Sequence, residues 1–398
     1  MPAVSALQGI RVIDVGQLVQ APQAALLMAD MGADVIKVEL PRFGDQARWI
    51  PAAAGHTHSG YFEGCNRGKR SITLDLRVPG GRDAFLRLAD SVDVVVSNFK
   101  PGTLDEWGLS YETLSARNPR IIYATGSAFG PTGPDAAREG ADLAGQTAGG
   151  LVSTTGRDGT DPTPVGATIA DHMASQHLAA GILAALFVRE RSGRGQRVDV
   201  SLLGGAIWAQ ASEYTAFFLS GVVPGRANRG HPLINGAYGI LPTKDGYIAI
   251  VGVPAPAKTP FLEAIGMPAL FEDPRFASPL LTPDNKQALF DLLTPVFRQK
   301  TTAEWSELLR AAGVRYAPVR DYAAVAADPQ VWDNGYIVKV EHPTLGSISA
   351  VGSPLRMSET PTDPSGIAPE LGQHTEEILL EIGFDWNEIE ALHTSGAI

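Results

Sequence analysis

The sequence predicts an α/β protein with a large parallel-sheet domain and a second, smaller α+β unit. Three observations carry that reading. Residues 1–125 alternate short β-branched runs with helical stretches, the pattern of a doubly wound sheet. A long helix then spans about 172–191 and is apolar around much of its surface, so it is expected to be buried. A stretch rich in Gly, Pro and Arg at 221–232 reads as a linker, and a hairpin pattern opens beyond it.

The elements follow in order. Ile10 to Asp14 is the first strand. Pro22 to Met31 is a helix, with Pro near its start and Gly32 beyond its end. Asp34 to Glu39 is the second strand, Ser71 to Asp75 a short third. Arg82 to Asp90 is helical, and Val94 to Ser97 and Arg120 to Ala124 are buried strands. Gly193-Arg-Gly caps the long helix. Val198 to Leu203 continues the large domain, and 204–222 reads as helix. Ala237 to Val251 is a hairpin around Lys244-Asp-Gly246. Two or three helices follow to about Ala312, then strands near Ile337 and Ile348 and a terminal helix near Thr375–Ile382. The domains are therefore 1–220, a linker at 221–232, a small unit at 233–328, and a tail at 329–398.

Composition narrows the function. The net charge is −11, which argues against a nucleic-acid binder. No apolar run reaches the roughly 18 residues of a membrane span, so no membrane association is expected. The N-terminus lacks a basic start before an apolar stretch, so no signal peptide is read. The single cysteine, Cys65, excludes an internal disulfide and a cysteine metal cluster. Together these favour a cytoplasmic location. The first 100 residues hold 11 Lys/Arg against 10 Asp/Glu, whereas 351–398 hold Arg356 against nine acids. An anionic ligand is therefore expected at the N-terminal part. A dinucleotide enzyme needs a Gly-rich turn after the first strand. Here that turn is Val15-Gly-Gln-Leu-Val-Gln-Ala-Pro22, without the second and third glycines.

Asp171 is the candidate for chemistry. It opens the long helix after the short run Pro164 to Ala170. A carboxylate beside the positive end of a helix dipole has its ionised form favoured, which suits a nucleophile or a base. Asp is also an ordinary helix N-cap, and the local sequence taken alone favours that role.

Several segments together resemble the class III coenzyme A transferases, the formyl-CoA transferase family. They are Gly9 to Asp14, Leu26 to Glu39, Asn66 to Leu76, Asn98-Phe-Lys-Pro-Gly102, Asn118 to Tyr123, Arg191 to Val200, and Leu371 to Leu379. The match runs through nearly the whole chain in the same order. It implies a Rossmann-like large domain that takes in the C-terminal tail, a smaller inserted domain, and an interlocked homodimer. It implies acyl-CoA and a carboxylic acid as partners, coenzyme A entering as a substrate thioester, and no permanently bound cofactor or metal.

The resemblance places the catalytic aspartate on Asp171. The implied route attacks an acyl-CoA thioester to give a mixed anhydride, which the released CoA thiolate converts to an aspartyl-CoA thioester. Backbone N–H groups at the start of the Asp171 helix are expected to meet the developing oxyanions. The implied CoA contacts are Val19, Gln20, Leu74, Asp75, Leu76, Arg77, Asn98, Phe99, Lys100 and Asp142. The implied substrate pocket holds Gln17, Ala141 and Gln146. Leu40 and Glu106 stand where the formyl-CoA enzyme has arginines, and Ala141 where it has a tyrosine. Gly252-Val-Pro-Ala-Pro-Ala-Lys258 replaces its glycine run. Formate and oxalate are therefore not the expected pair.

The rival reading is a 2-methylacyl-CoA racemase of the same fold. It needs a second acid/base group, but the position of its histidine is Ala141, which carries no proton. His172 and His177 are nearby in sequence, and packing or surface roles are expected for them. A weaker rival is a CoA-binding protein without turnover. Arg138, Arg226 and Arg229 are candidates for a second substrate carboxylate.

Overall fold

The computed structural model describes residues 5–278 and 280–398. Six strands form one sheet: β1 (Arg11–Asp14), β2 (Asp34–Glu39), β3 (Arg70–Thr73), β4 (Val94–Ser97), β5 (Ile122–Ser127) and β6 (Arg197–Ser201). Their order is β3-β2-β1-β4-β5-β6, and every pair is parallel. β-Branched runs suit strands covered on both faces. Alternate residues feed opposite cores. Ile13, Ile36, Ile72 and Val95 pack with Phe85, Leu88, Ile378 and Leu379. Val12, Val35, Val94 and Ile122 pack with Met28, Leu178, Ile182 and Ala185. The first helix (Gln20–Asp30) and the long helix (Ile169–Ser192) therefore cover one face. The helices Pro79–Ala89, Thr375–Glu381 and Trp386–Ser395 cover the other. The strand order reverses between β1 and β4, and an open α/β sheet binds its ligand at that reversal, beyond the C-terminal strand ends.

The long helix starts at Ile169, three residues before the sequence placed it, and ends on Gly193 in the left-handed region at φ 71. The helix expected over 204–222 is two, Leu202–Trp208 and Ala211–Ser220. Stretches that sequence periodicity did not separate from loop are short helices, among them Gly60–Asn66, Tyr111–Arg117 and Asp142–Ala148. Each has only two turns, too few to show a 3.6-residue period.

The chain forms two compact units. One holds Met1–Gly149, Val165–Ala209 and Pro329–Ile398; the other holds Gly150–Pro164 and Gln210–Asp328. The helix Ala211–Ser220, placed with the large domain by the sequence, lies in the second unit. That unit has an antiparallel sheet of β7 (Gly239–Pro242), β8 (Tyr247–Gly252) and β9 (Arg315–Pro318). β7 and β8 are the expected hairpin, with Thr243 N–H donating to Gly246 O across the turn. Phe261, Phe290, Phe297 and Trp305 fill its core. Residues 252–258 leave β8, make a 3-10 turn at Ala255–Ala257 and enter a helix at Lys258. In the first unit β10 (Ile337–His342) and β11 (Gly346–Val351) pair as a hairpin. Among the described residues no helix is long and apolar enough to cross a membrane.

Candidate active site

The turn after β1 sits at the sheet's reversal point, and side chains rather than glycines fix its backbone. Gly16 N–H donates to Asp14 Oδ1 at 2.8 Å, and Lys37 Nζ donates to Gly16 O at 2.9 Å. Asn98, just beyond β4, takes Gln17 N–H on Oδ1 and gives Nδ2–H to Gln17 O, both at 2.8 Å. Leu18 N–H donates to Asp45 Oδ1 at 2.9 Å. Leu18 stands at φ 62, an uncommon place for a branched side chain, and this ring of partners holds it there. Gly16 has no room for a side chain: a Cβ would lie 2.6 Å from Ala21 Cβ and 2.9 Å from Asp14 Oδ1.

Beneath the turn lies a fully buried charge cluster. Lys69 Nζ reaches Asp14 Oδ2 at 2.7 Å, Pro22 O at 2.7 Å and Asn66 Oδ1 at 2.8 Å. Lys37 Nζ pairs with Asp45 at 2.8 Å. Burial alone would raise the Asp14 carboxyl, but Lys37 and Lys69 outweigh it and hold it below its ordinary value.

Asp171 is the third residue of the long helix, and it does not cap it. The cap comes from Asp142, at the start of the helix Asp142–Ala148. Asp142 Oδ1 accepts from Ala170 N–H at 2.8 Å and from Asp171 N–H at 3.2 Å. Its Oδ2 accepts from Gln146 Nε2 at 2.6 Å. Gln146 is buried and also ties the incoming chain, accepting from Val165 N–H and donating to Ala167 O. Close approach of the two helices requires Gly145, where a Cβ would lie 2.8 Å from Ala170 Cβ and 2.7 Å from Leu202 Cβ. The first-turn amides expected to stabilise oxyanions are thus already committed to Asp142.

The Asp171 carboxyl is half-buried and, among the described residues, has no hydrogen-bonding or ionic partner. Burial, then the neighbouring Asp142 carboxylate, push its pKa up to about 7. This reverses the expectation from the helix dipole: burial disfavours the anion most, and the helix end that would favour it is occupied by another carboxylate. His172 is tied by Nδ1 to Gln23 Oε1 at 2.5 Å and by Nε2 to Thr168 Oγ1 at 3.2 Å. His177 Nδ1 meets Met173 O at 2.6 Å, and its ring packs edge-on against Trp208. Both rings are held in structural contacts.

Two neighbouring cavities open at this point of the sheet. The larger, about 370 Å³, is bordered by Asp171, Gln17, Gln20, Asn98, Phe99, Lys100 and Ala141. The smaller, about 150 Å³, is bordered by Leu74, Asp75, Leu76 and Arg77, with Gln17 and Phe99 shared between the two. Val19, Asp142 and Gln146 border neither; Val19 is buried under the turn, and the other two support the helix start. Arg77 lies along Asp75, with Nε to Oδ1 at 2.8 Å and Nη2 to Oδ2 at 2.7 Å, an exposed pair that a stronger anion can displace. Leu40 and Trp107 give the smaller cavity apolar walls. Leu18, Gln46, Ser127 and Leu202 border the larger one without a sequence signal; Gln46 arrives on a 3-10 turn capped by Asp45. Away from these cavities, His58, Glu63 and His342 come within metal-ligand range of one another. His342 Nδ1 already accepts from Thr344 and Leu345 N–H, both at 3.3 Å, which leaves the proton on Nε2 and spoils that ring as a ligand.

Residues 7–375 match the model of CoA-transferase family III. The chain is 36% identical to an acyl-CoA transferase of Fusarium pseudograminearum, covering 99% of this chain and 88% of that one. It is 32% identical to the human succinyl-CoA:glutarate CoA-transferase, covering 100% and 91%. The crystal structure of a CAIB/BAIF family protein from Brucella suis superposes with a TM-score of 0.85, at 33% identity, over 95% of this chain and 99% of that one. The resemblance drawn from the scattered segments is thus correct, and the parallel sheet without a dinucleotide turn is the scaffold of that family. The chain belongs to CoA-transferase family III and is a CoA transferase.

Proposed function

We propose that the protein moves CoA from an acyl-CoA donor to a free carboxylic acid, with Asp171 as the covalent carrier. The observation that carries this is the Asp171 carboxyl itself. It borders the larger cavity without a partner among the described residues, while the neighbouring acid is spent on the helix end. In the first step an Asp171 oxygen bonds to the acyl carbonyl carbon and the C–S bond breaks, giving a mixed anhydride and CoA thiolate. The thiolate then bonds to the Asp171 carbonyl carbon, and the acyl group leaves as its carboxylate. The acceptor carboxylate repeats these steps in reverse, so the thioester is conserved throughout. Gln17 borders both cavities and is our choice of donor to the anhydride oxygens. The nucleotide end of CoA belongs in the smaller cavity, against Leu74, Leu76 and Arg77. The thioester then passes Gln17 and Phe99 to reach Asp171. Racemisation is not favoured, since Ala141 offers no base and His172 and His177 are otherwise engaged. The test is peptide mass spectrometry after incubation with acyl-CoA and no acceptor, which should find a CoA-mass adduct on Asp171. An adduct elsewhere, or none despite turnover, would remove the carrier role.

The nucleophile is the ionised carboxyl, and its pKa in the free protein is near 7. The kcat/KM for the acyl-CoA donor should therefore rise about tenfold per pH unit below that value and level off above pH 8. A flat profile from pH 5.5 to 8.5 would disprove it.

We also propose a homodimer. Phe218, Leu219, Val222 and Val223 are 74%, 85%, 67% and 73% exposed, an apolar run too dense for a solvated surface. Light scattering after gel filtration should give twice the chain mass at micromolar concentration. A double Phe218→Glu, Leu219→Glu variant should lower it; a monomeric native protein would end the proposal.

A further inference from the structure

We infer that Arg138 recognises the far carboxylate of a dicarboxylic acid whose near carboxyl exchanges CoA at Asp171. The inference rests on the transferase reading of Asp171 and names its substrate class. Three arginines were open as partners of a second carboxylate, and Arg138 is the one that shares a cavity with Asp171. Arg226 is turned to the backbone oxygens of Ser153, Thr160 and Asp161, and Arg229 to Asp291.

The Arg138 guanidinium is both positioned and available. Its carbon lies 4.8 Å from the centre of the Phe129 ring, a stacking contact that fixes its plane. Its carboxylate neighbour, Asp135, is at 3.5 Å in an exposed pair three residues apart, which an incoming acid can displace. A planar fork of donors matches a carboxylate through two parallel hydrogen bonds. Lys100 is the other cation of this cavity. It follows Phe99, which also borders the smaller cavity, so we place Lys100 on the CoA side. Arg138 borders the Asp171 cavity alone. Ala128, Ala141 and Leu202 give a short methylene chain an apolar wall. Glu139 borders the same space with the opposite charge. A diacid therefore gains only when its far end reaches the guanidinium, which sets an optimum of chain length.

The experiment compares acceptors of one length with and without the second carboxylate: succinate and glutarate against butyrate and valerate. In a double-displacement reaction, kcat/KM for the acceptor does not depend on the donor, so acetyl-CoA serves throughout. Arg138→Gln should lower kcat/KM for the diacids by about 10- to 100-fold and leave the monoacids within about threefold. Arg138→Lys, which keeps the charge but loses the fork, should fall between. Arg138 is exposed, so both variants should melt with the native protein. An equal loss for both acid classes would overturn the inference. So would a loss confined to the donor thioester, which would put Arg138 on CoA, or a native protein that uses monoacids alone. No transfer with any acid would instead end the transferase reading on which this rests.

Discussion

Asp171→Ala is expected to abolish CoA exchange. A nucleophile that forms the covalent intermediate has no substitute in a site that depends on it, so kcat should fall by at least about 10³-fold. The fall should appear with every donor and acceptor, unlike the acid-selective loss expected at Arg138. CoA-thioester affinity should survive, since the residues we assign to CoA stand on other elements. Turnover that persists in Asp171→Ala, with no contaminating enzyme, would remove Asp171 from the chemistry and leave a supporting role at the helix start.

The same substitution should stabilise the fold, and the sign follows from linkage. The folded pKa of Asp171 is raised from 3.8 to about 7. Its contribution to stability is therefore fully present below pH 4 and is lost as pH rises through 7, where the half-buried site must carry an anion beside Asp142. Removing the carboxyl relieves that cost. Allowing for solvent screening of a half-buried group, the gain at pH 8 should be on the order of 1–2 kcal/mol, vanishing by pH 4. Thermal melts of the two proteins at pH 4, 6 and 8 check it. A gain in stability with a loss of activity is the signature of a group kept for chemistry rather than for folding.

The parts of this molecule that sequence made legible are those with local causes. Val94 to Val96 can only be a buried strand, and Gly193 after Arg189 and Arg191 can only end a helix. The family was legible in segments spread across the whole chain, and the family match agrees with it; the Asp171 assignment follows from that resemblance. What stayed hidden depends on partners distant in sequence. The start of the long helix moved to Ile169 because its cap is Asp142, 28 residues upstream of Ala170. Burial, with that same partner adding to it, inverted the expected ionisation of Asp171. The turn after β1 lacks the second and third glycines of a dinucleotide turn. Its real supports are Lys37, Asn98 and Asp45, none of which a turn motif can announce. Lys37 was visible as a charge inside an apolar strand, but its use became clear only when Gly16 O and Asp45 met it.

Asp14→Ala should be among the most destabilising single changes in the chain. Asp14 and Lys69 have fully buried side chains, and Lys37 lies equally deep at 3.7 Å from the same carboxylate. Removing the acid leaves Lys69 with Asn66 and the Pro22 carbonyl but no counter-charge, and leaves Gly16 N–H without its acceptor. Breaking a buried pair by deleting one partner costs about 3–5 kcal/mol, because the remaining ion cannot be resolvated. That is a large part of the roughly 5–15 kcal/mol that holds a native fold. Lys69→Met should cost less, since Asp14 retains Lys37 and Gly16 N–H. The double variant Asp14→Leu, Lys69→Met removes both ions and should recover much of the stability lost by the single acid deletion. It should not recover full activity. Gly16 N–H would still lack its acceptor, and the turn that carries Gln17 would be loosened on one side. Urea unfolding of the three variants gives the stabilities, and kcat/KM for one donor–acceptor pair gives the activities. If Asp14→Ala unfolded at the native midpoint, the cluster would not be holding the turn. If the double variant regained full activity, the turn would need no fixed anchor at Gly16, and the role given to this buried charge beneath the site would fail.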